Sequence, residues 1–287
     1  MSESILSKSV ETFARMVIDL PDQQLERPWA WGAYDSEGIR FAFFRIYEEL
    51  RELAVRIAYQ REVDGVRLMS AQRILANYHQ AYNELQSLLL GLSKEELERE
   101  PAAGEWSLKR VYAHIVGAEA GFFVVTKYAL ERARTAYNRP QDVSDDDWDS
   151  ILGLGEPEFI AILEGTFHSL CSYHASLNAR ILNDLSDITE EELSIPSRYW
   201  EGYDLDLRFR LHRFESHLRQ HIIQIEKILT SQGQPHNEAR RLLRLIYVAM
   251  ANVEGACIGQ PEASSALIDA AVQKIEARTN EIADLLK

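Results

Sequence analysis

Apolar stripes stepping by three and four residues constrain this chain more than any other feature. Ala71, Leu75, Tyr78, Tyr82, Leu85, Leu89 and Leu92 form one stripe. Phe159, Leu163, Phe167, Leu170, His174, Leu177 and Ile181 form another. At 3.6 residues per turn such spacing lines one face of an α-helix, and a face that long has to be buried against other helices. No segment alternates with the period of two that a half-buried strand requires. The spacing predicts helices at about 4–18, 36–62, 69–91, 107–134, 157–185, 207–231, 236–257 and 262–286. Pro157 suits a first helical turn, and Gly233-Gln-Pro235 reads as a stop followed by a restart. Segments 138–156 and 194–206 read as loops, the first of them acidic. The expected fold class is all-α: an antiparallel four-helix bundle over 66–233. Flanking helices in 1–65 and 236–287 then pack together as a second half-bundle or brace the first.

Charge and cysteine content narrow the function classes. The 287 residues carry a net charge of −14, with no concentrated basic face of the kind a duplex requires. The two cysteines, Cys171 and Cys257, lie in no CxxC motif, which argues against a disulfide scaffold or a thiolate zinc site. MSESILSKSVETF lacks the basic and apolar regions of a secretory leader, and no apolar run approaches the roughly 18 residues of a membrane span. The expectation is a soluble, cytoplasmic protein with a small-molecule substrate and neither nucleic acid nor membrane as partner.

The histidines carry the chemistry. His217 and His221 stand four apart in HLRQH, at the border of the stripe Leu211, Phe214, Leu218, Ile222, Ile225 and Leu229. Gln224 shares their edge. Positions i and i+4 differ by only about 40° around a helix axis, so two such imidazoles can close on one metal ion. The same spacing also fits two surface histidines. His114 falls on the stripe Val111, His114, Ile115, Ala118, Phe122 and Val125 of the helix opening at Ser107, and is expected to look into the bundle. Gly117, Ala118 and Gly121, one to two turns on, are small and suggest a cavity beside the imidazole. A core histidine bonded to a neighbour is the alternative. His212 points away from the pair. His174 reads as a satisfied core histidine, His79 as a boundary residue, and His168 and His236 as surface. HExxH, GxSxG, a Walker loop and a dinucleotide loop are absent from the sequence. Asp145-Asp146-Asp147 with Asp149 lacks the EF-hand pattern and reads as a solvated loop. The loops of Trp148 and Trp200 are placed over one end of the bundle, where the pocket opens.

Trp106-Ser107, then His114 in W-S-x6-H-I, then His217-x3-His221 followed by Gln224-Ile225, resemble the DinB-like superfamily over 66–233. The resemblance implies that His114, His217 and His221 bind one divalent metal, zinc or nickel, with iron as a further candidate. It also implies kinship with S-transferases that use bacillithiol, mycothiol or glutathione, and with maleylpyruvate isomerase. A low-molecular-weight thiol is then the co-substrate. Three imidazoles with open coordination positions describe a catalytic rather than a structural site, where the cation lowers the pKa of a water or thiol. The expected function is a metal-dependent enzyme in which an activated thiolate or water attacks a small electrophile. Gly117, Gly121 and Gln224 are assigned to the substrate pocket, Gln224 as a residue that orients a ligand or the thiol. Glu119, about 140° around the helix from His114, receives no role. The alternative is a non-catalytic bundle that binds a small apolar ligand and keeps the histidines as a structural or vestigial cluster. Segments 1–62 and 236–286 offer a homodimer surface.

Overall fold

The structure is a computed structural model describing residues 4–35, 37–135, 138–233, 237–260 and 264–287. The expected helix starts at 36, 236 and 262, the restart at Pro235 and the surface assignment of His236 lie outside the described residues. The chain is all-α. Its helices are α1 (Ile5–Val17), α2 (Ile39–Val63), α3 (Ser70–Leu89), α4 (Lys94–Glu98), α5 (Leu108–Thr135), α6 (Asp145–Leu152), α7 (Glu156–Glu164), α8 (Phe167–Asp184), α9 (Leu207–Ser231), α10 (Glu238–Ala256) and α11 (Ser265–Leu286). Strands β1 (Pro196–Ser197) and β2 (Leu205–Asp206) form a small antiparallel pair with Pro196 opposite Asp206. Among the described residues no helix is long and apolar enough to cross a membrane.

Two compact units divide the chain. One comprises Met1–Leu68, Gln80–Leu92 and Gly233–Lys287. Within it α2 packs along α10 and α11, and α1 along α11 and α10. Phe13 meets Phe43 edge-on with ring centroids 5.0 Å apart, in a core shared with Ile46, Leu50, Met250 and Ile282. Arg278 donates to both carboxylate oxygens of Glu49, at 3.1 and 3.2 Å.

The other unit comprises Met69–His79 and Ser93–Gln232. Its axis is α5, which touches α4, α6, α7, α8 and α9. A helix so surrounded buries residues on nearly every side, and Val111, Tyr112, Ile115, Val116, Glu119 and Phe123 are all buried. The start of α3 joins this bundle through Tyr78, whose hydroxyl donates to Glu119 Oε2 at 2.7 Å and whose ring lies 5.3 Å from Phe214.

Three local expectations are corrected. The helix expected over 157–185 is two helices. Gly165 turns extended (ψ −160°) and ends α7, and Thr166 Oγ1 accepts from Ser169 N at 3.1 Å to cap α8. The apolar stripe passes over this break with its step unchanged, so periodicity could not show it. The acidic segment 138–156 contains α6: Ser144 Oγ caps Asp147 N, three aspartates in the first turn suit the positive end of the helix, and Gly153 ends it at φ 77°. In the loop 194–206 the β1–β2 pair holds Tyr199 and Trp200 at its tip.

Candidate metal centre

The site is built from two helix starts. Ser107 Oγ accepts from Arg110 N at 3.3 Å and begins α5, which sets where His114 falls two turns later. Trp106, just before that start, places its ring 5.3 Å from the His114 ring. Asp206 Oδ1 accepts from Phe209 N at 2.8 Å and begins α9, which carries His217 and His221 on one edge. α5 and α9 pack together and bring the three imidazoles to one point.

Their Nε2 atoms converge. His217 Nε2 lies 3.3 Å from His114 Nε2 and 3.1 Å from His221 Nε2. One candidate ligand atom from each ring lies within 4.8 Å of the other two. A nitrogen of a neutral imidazole has either one proton or one lone pair. His217 Nε2 therefore satisfies one of its two contacts by hydrogen bonding and leaves the other unmade. A cation satisfies both. Two nitrogens bound tetrahedrally at about 2.05 Å stand roughly 3.3 Å apart, close to the spacing seen. The surroundings of His221 agree: Gln224 Oε1, which can only accept, lies 2.8 Å from its Nδ1, favouring the tautomer with the proton on Nδ1 and the Nε2 lone pair toward the cluster. Burial, then His221, His114 and Arg213, push His217 down to about 3. Partial desolvation also lowers His114, with His221 adding to it, and burial lowers His221, with Gln224 opposing. Three histidines that resist protonation are ready to ligate. The donor set fits a divalent cation.

A family comparison agrees with this geometry. The model of the DinB superfamily matches residues 77–225, more than half of the chain. The chain belongs to the DinB superfamily. The match covers α5 and the stretch of α9 that carries both of its cluster histidines. No curated protein and no solved structure matches it.

Beside the histidines lies a pocket of about 660 Å³, lined by His114, His217, Gly117, Phe122, Tyr199 and Trp200 among others. His114 stands at its edge, so the expectation that His114 looks into the bundle core is corrected: it is exposed, whereas His217 and His221 are buried. The space that α5 leaves opens outward instead of inward. Gly117 lines the pocket, and a Cβ there would touch only Leu163 at 3.6 Å. Gly121 differs from what its size suggested. A Cβ there would stand 2.1 Å from Tyr199 Oη, so the missing side chain seats Tyr199 and does not leave a void. Tyr199 in turn meets Trp148 edge-on at 6.2 Å. Trp200 is largely exposed and lines the pocket, Trp148 is not among its lining residues, and Gln224 sits behind His221, away from it.

The other histidines are separate from the cluster. His174 is fully buried, with Nδ1 2.9 Å from Tyr112 Oη and Nε2 3.0 Å from Glu119 Oε2. Glu119, to which no role was given, is the acceptor that Tyr78 and His174 share. Its signal was the second stripe Tyr112, Val116, Glu119 and Phe123, visible once α5 is read as a central helix. His79 is buried, and His168 and His212 are exposed. The sequence reading also missed Tyr199, Arg110 and Arg213 in the pocket lining.

Proposed function

We propose that this chain is a divalent-metal-dependent enzyme of the DinB type, with thiol S-transfer to a small electrophile as its reaction. The observation that carries the reading is the meeting of three imidazole nitrogens at spacings one cation would occupy, beside an open pocket. His114, His217 and His221 would hold the ion, and imidazole donors accept zinc, nickel or iron. When bound, the ion supplies Lewis-acid character that lowers the pKa of a water or thiol reaching it. The chain's own groups do the rest. Gln224 fixes the His221 ring by taking its Nδ1 proton in a hydrogen bond. Trp106 and Phe122, packed on His114 and His217, fix those rings and bound the reacting space with apolar surface. Trp200, largely exposed, forms part of the pocket wall. In the reaction a sulfur–carbon bond forms, the leaving group departs from carbon, and the thiol proton passes to solvent.

The test is conjugation of monochlorobimane by glutathione, bacillithiol and mycothiol. Each is tried with the zinc- or nickel-loaded protein and with its His217→Ala variant. Metal-dependent conjugation with one thiol, lost in the variant, supports the reading. A stoichiometric metal with no turnover across a wider panel of electrophiles argues for the ligand-binding bundle instead.

A further inference from the structure

The pocket has an electrostatic character that the metal reading leaves unused. Arg110 and Arg213 both line it. Each stands four residues ahead of a cluster histidine, Arg110 before His114 on α5 and Arg213 before His217 on α9. One turn of each helix thus sets a guanidinium beside an imidazole on the same edge. Neither guanidinium has a carboxylate within 4.0 Å among the described residues, although the chain has 45 acidic residues to 31 basic ones. Elsewhere in the same unit Arg134, Arg139, Arg198 and Arg210 each pair with an acid. Among the described residues Arg213 donates only to Ser216 Oγ, at 3.3 Å, and its Cζ lies 5.6 Å from the Phe122 ring centroid. Arg110 Cζ lies 5.1 Å from the Trp106 ring centroid. Arg110 is exposed and Arg213 half-buried, each beside an aromatic ring, and most of their N–H donors meet no protein acceptor among the described residues.

Two carboxylates compete for notice and neither takes these donors. Glu201 feels Arg213 through space but accepts from Arg210 Nη1 at 2.8 Å. Glu164 lines the pocket as an exposed rim residue and pairs with neither arginine. A guanidinium's planar fork matches a carboxylate, and hydrogen bonds to charged groups are stronger than neutral ones. The walls between the two arginines are aromatic, which suits a flat apolar body.

We propose that this pocket takes a small molecule carrying a carboxylate, gripped by Arg213 and Arg110, with its apolar body against Trp106 and Phe122. The proposal names the substrate class of the same site and so rests on the reading of that site as a substrate pocket, but it does not need the metal. The experiment uses phenylacetate, phenylacetamide and phenethylamine, three probes of nearly one shape and different charge. They are titrated into EDTA-treated protein by calorimetry and by tryptophan fluorescence. Phenylacetate is expected to bind at least about tenfold more tightly than phenylacetamide. Arg213→Gln and Arg110→Gln are each expected to remove about tenfold of the phenylacetate affinity and to leave phenylacetamide within about twofold. Equal affinity for acid and amide, a preference for the amine, no binding of any probe, or an acid preference untouched by both variants overturns the proposal. Zinc titration of the same proteins separates the two claims. Acid preference without zinc binding removes the metal and keeps the arginines; zinc binding without acid preference does the reverse.

Discussion

Replacing Gly121 with alanine puts a methyl group where Tyr199 now lies. An ideal Cβ there stands 2.1 Å from Tyr199 Oη and 2.9 Å from Cζ. Carbon contacts relax at about 3.5 Å, so the ring has to retreat by more than about 1 Å. Phe122 at 6.4 Å, Trp148 at 6.2 Å and the Arg210 guanidinium at 5.8 Å hold that ring, and its movement loosens all three. Overpacking of this kind costs about 1–3 kcal/mol. Gly121 is helical without positive φ, so alanine also gains up to about 1 kcal/mol of helix propensity. The net expectation for Gly121→Ala is a loss of about 1–2 kcal/mol, read as a lower urea midpoint at unchanged slope. In a Tyr199→Ala background the methyl group enters vacated space, and the same substitution becomes stabilising. The sign change is the test, because a double-mutant cycle isolates the coupling of the pair. If Gly121→Ala stabilises both backgrounds alike, Tyr199 does not sit against α5 and the pocket wall is wrong.

Glu119→Leu removes the acceptor that Tyr78 and His174 share in the bundle interior and should cost about 3–5 kcal/mol. Glu119→Gln, which keeps an acceptor oxygen, should cost clearly less in the same urea titration, and equal costs would refute the shared bond. His217, held at about 3, refuses a proton that the unfolded chain accepts near 6.5. Its contribution to the stability of metal-free protein is therefore complete above about pH 6.5. It is lost as pH falls toward about 3, at about 1.4 kcal/mol per unit. The urea midpoint should fall from pH 7 to pH 5 less steeply in His217→Gln than in the parent; parallel slopes would count against it. Gln224→Leu leaves His221 Nδ1 without its acceptor and should weaken zinc binding by about 10–100-fold in a calorimetric titration. Unchanged affinity would show that Gln224 does not support the ligand.

The parts of the fold that periodicity governs were legible in the sequence. Long stripes marked α3, α5, α9 and their neighbours because a buried helix face must repeat every three or four residues. The break at Gly165 was not legible, since two helices in line can share one stripe. α6 was hidden by its charge: three aspartates look like a loop until Ser144 is read as their cap. The histidine cluster was legible because HxxxH sets two imidazoles one turn apart and W-S-x6-H sets a third two turns after a helix start. The orientation of His114 was not, because α5 is surrounded and its stripes do not say which side lacks a neighbour. Tyr199 was not legible at all. It reaches Gly121 from a hairpin about eighty residues away, through tertiary packing that no local pattern encodes.

Metal content is the measurement nearest to the central claim. Protein purified without an affinity tag or chelator, then reconstituted with zinc, nickel or iron, is analysed by inductively coupled plasma mass spectrometry beside His114→Ala and His217→Ala. The account predicts about one divalent ion per chain in the parent and a clear loss in each variant. A parent that takes up no stoichiometric ion, or variants that keep it, would contradict the assignment of His114, His217 and His221 as one metal site.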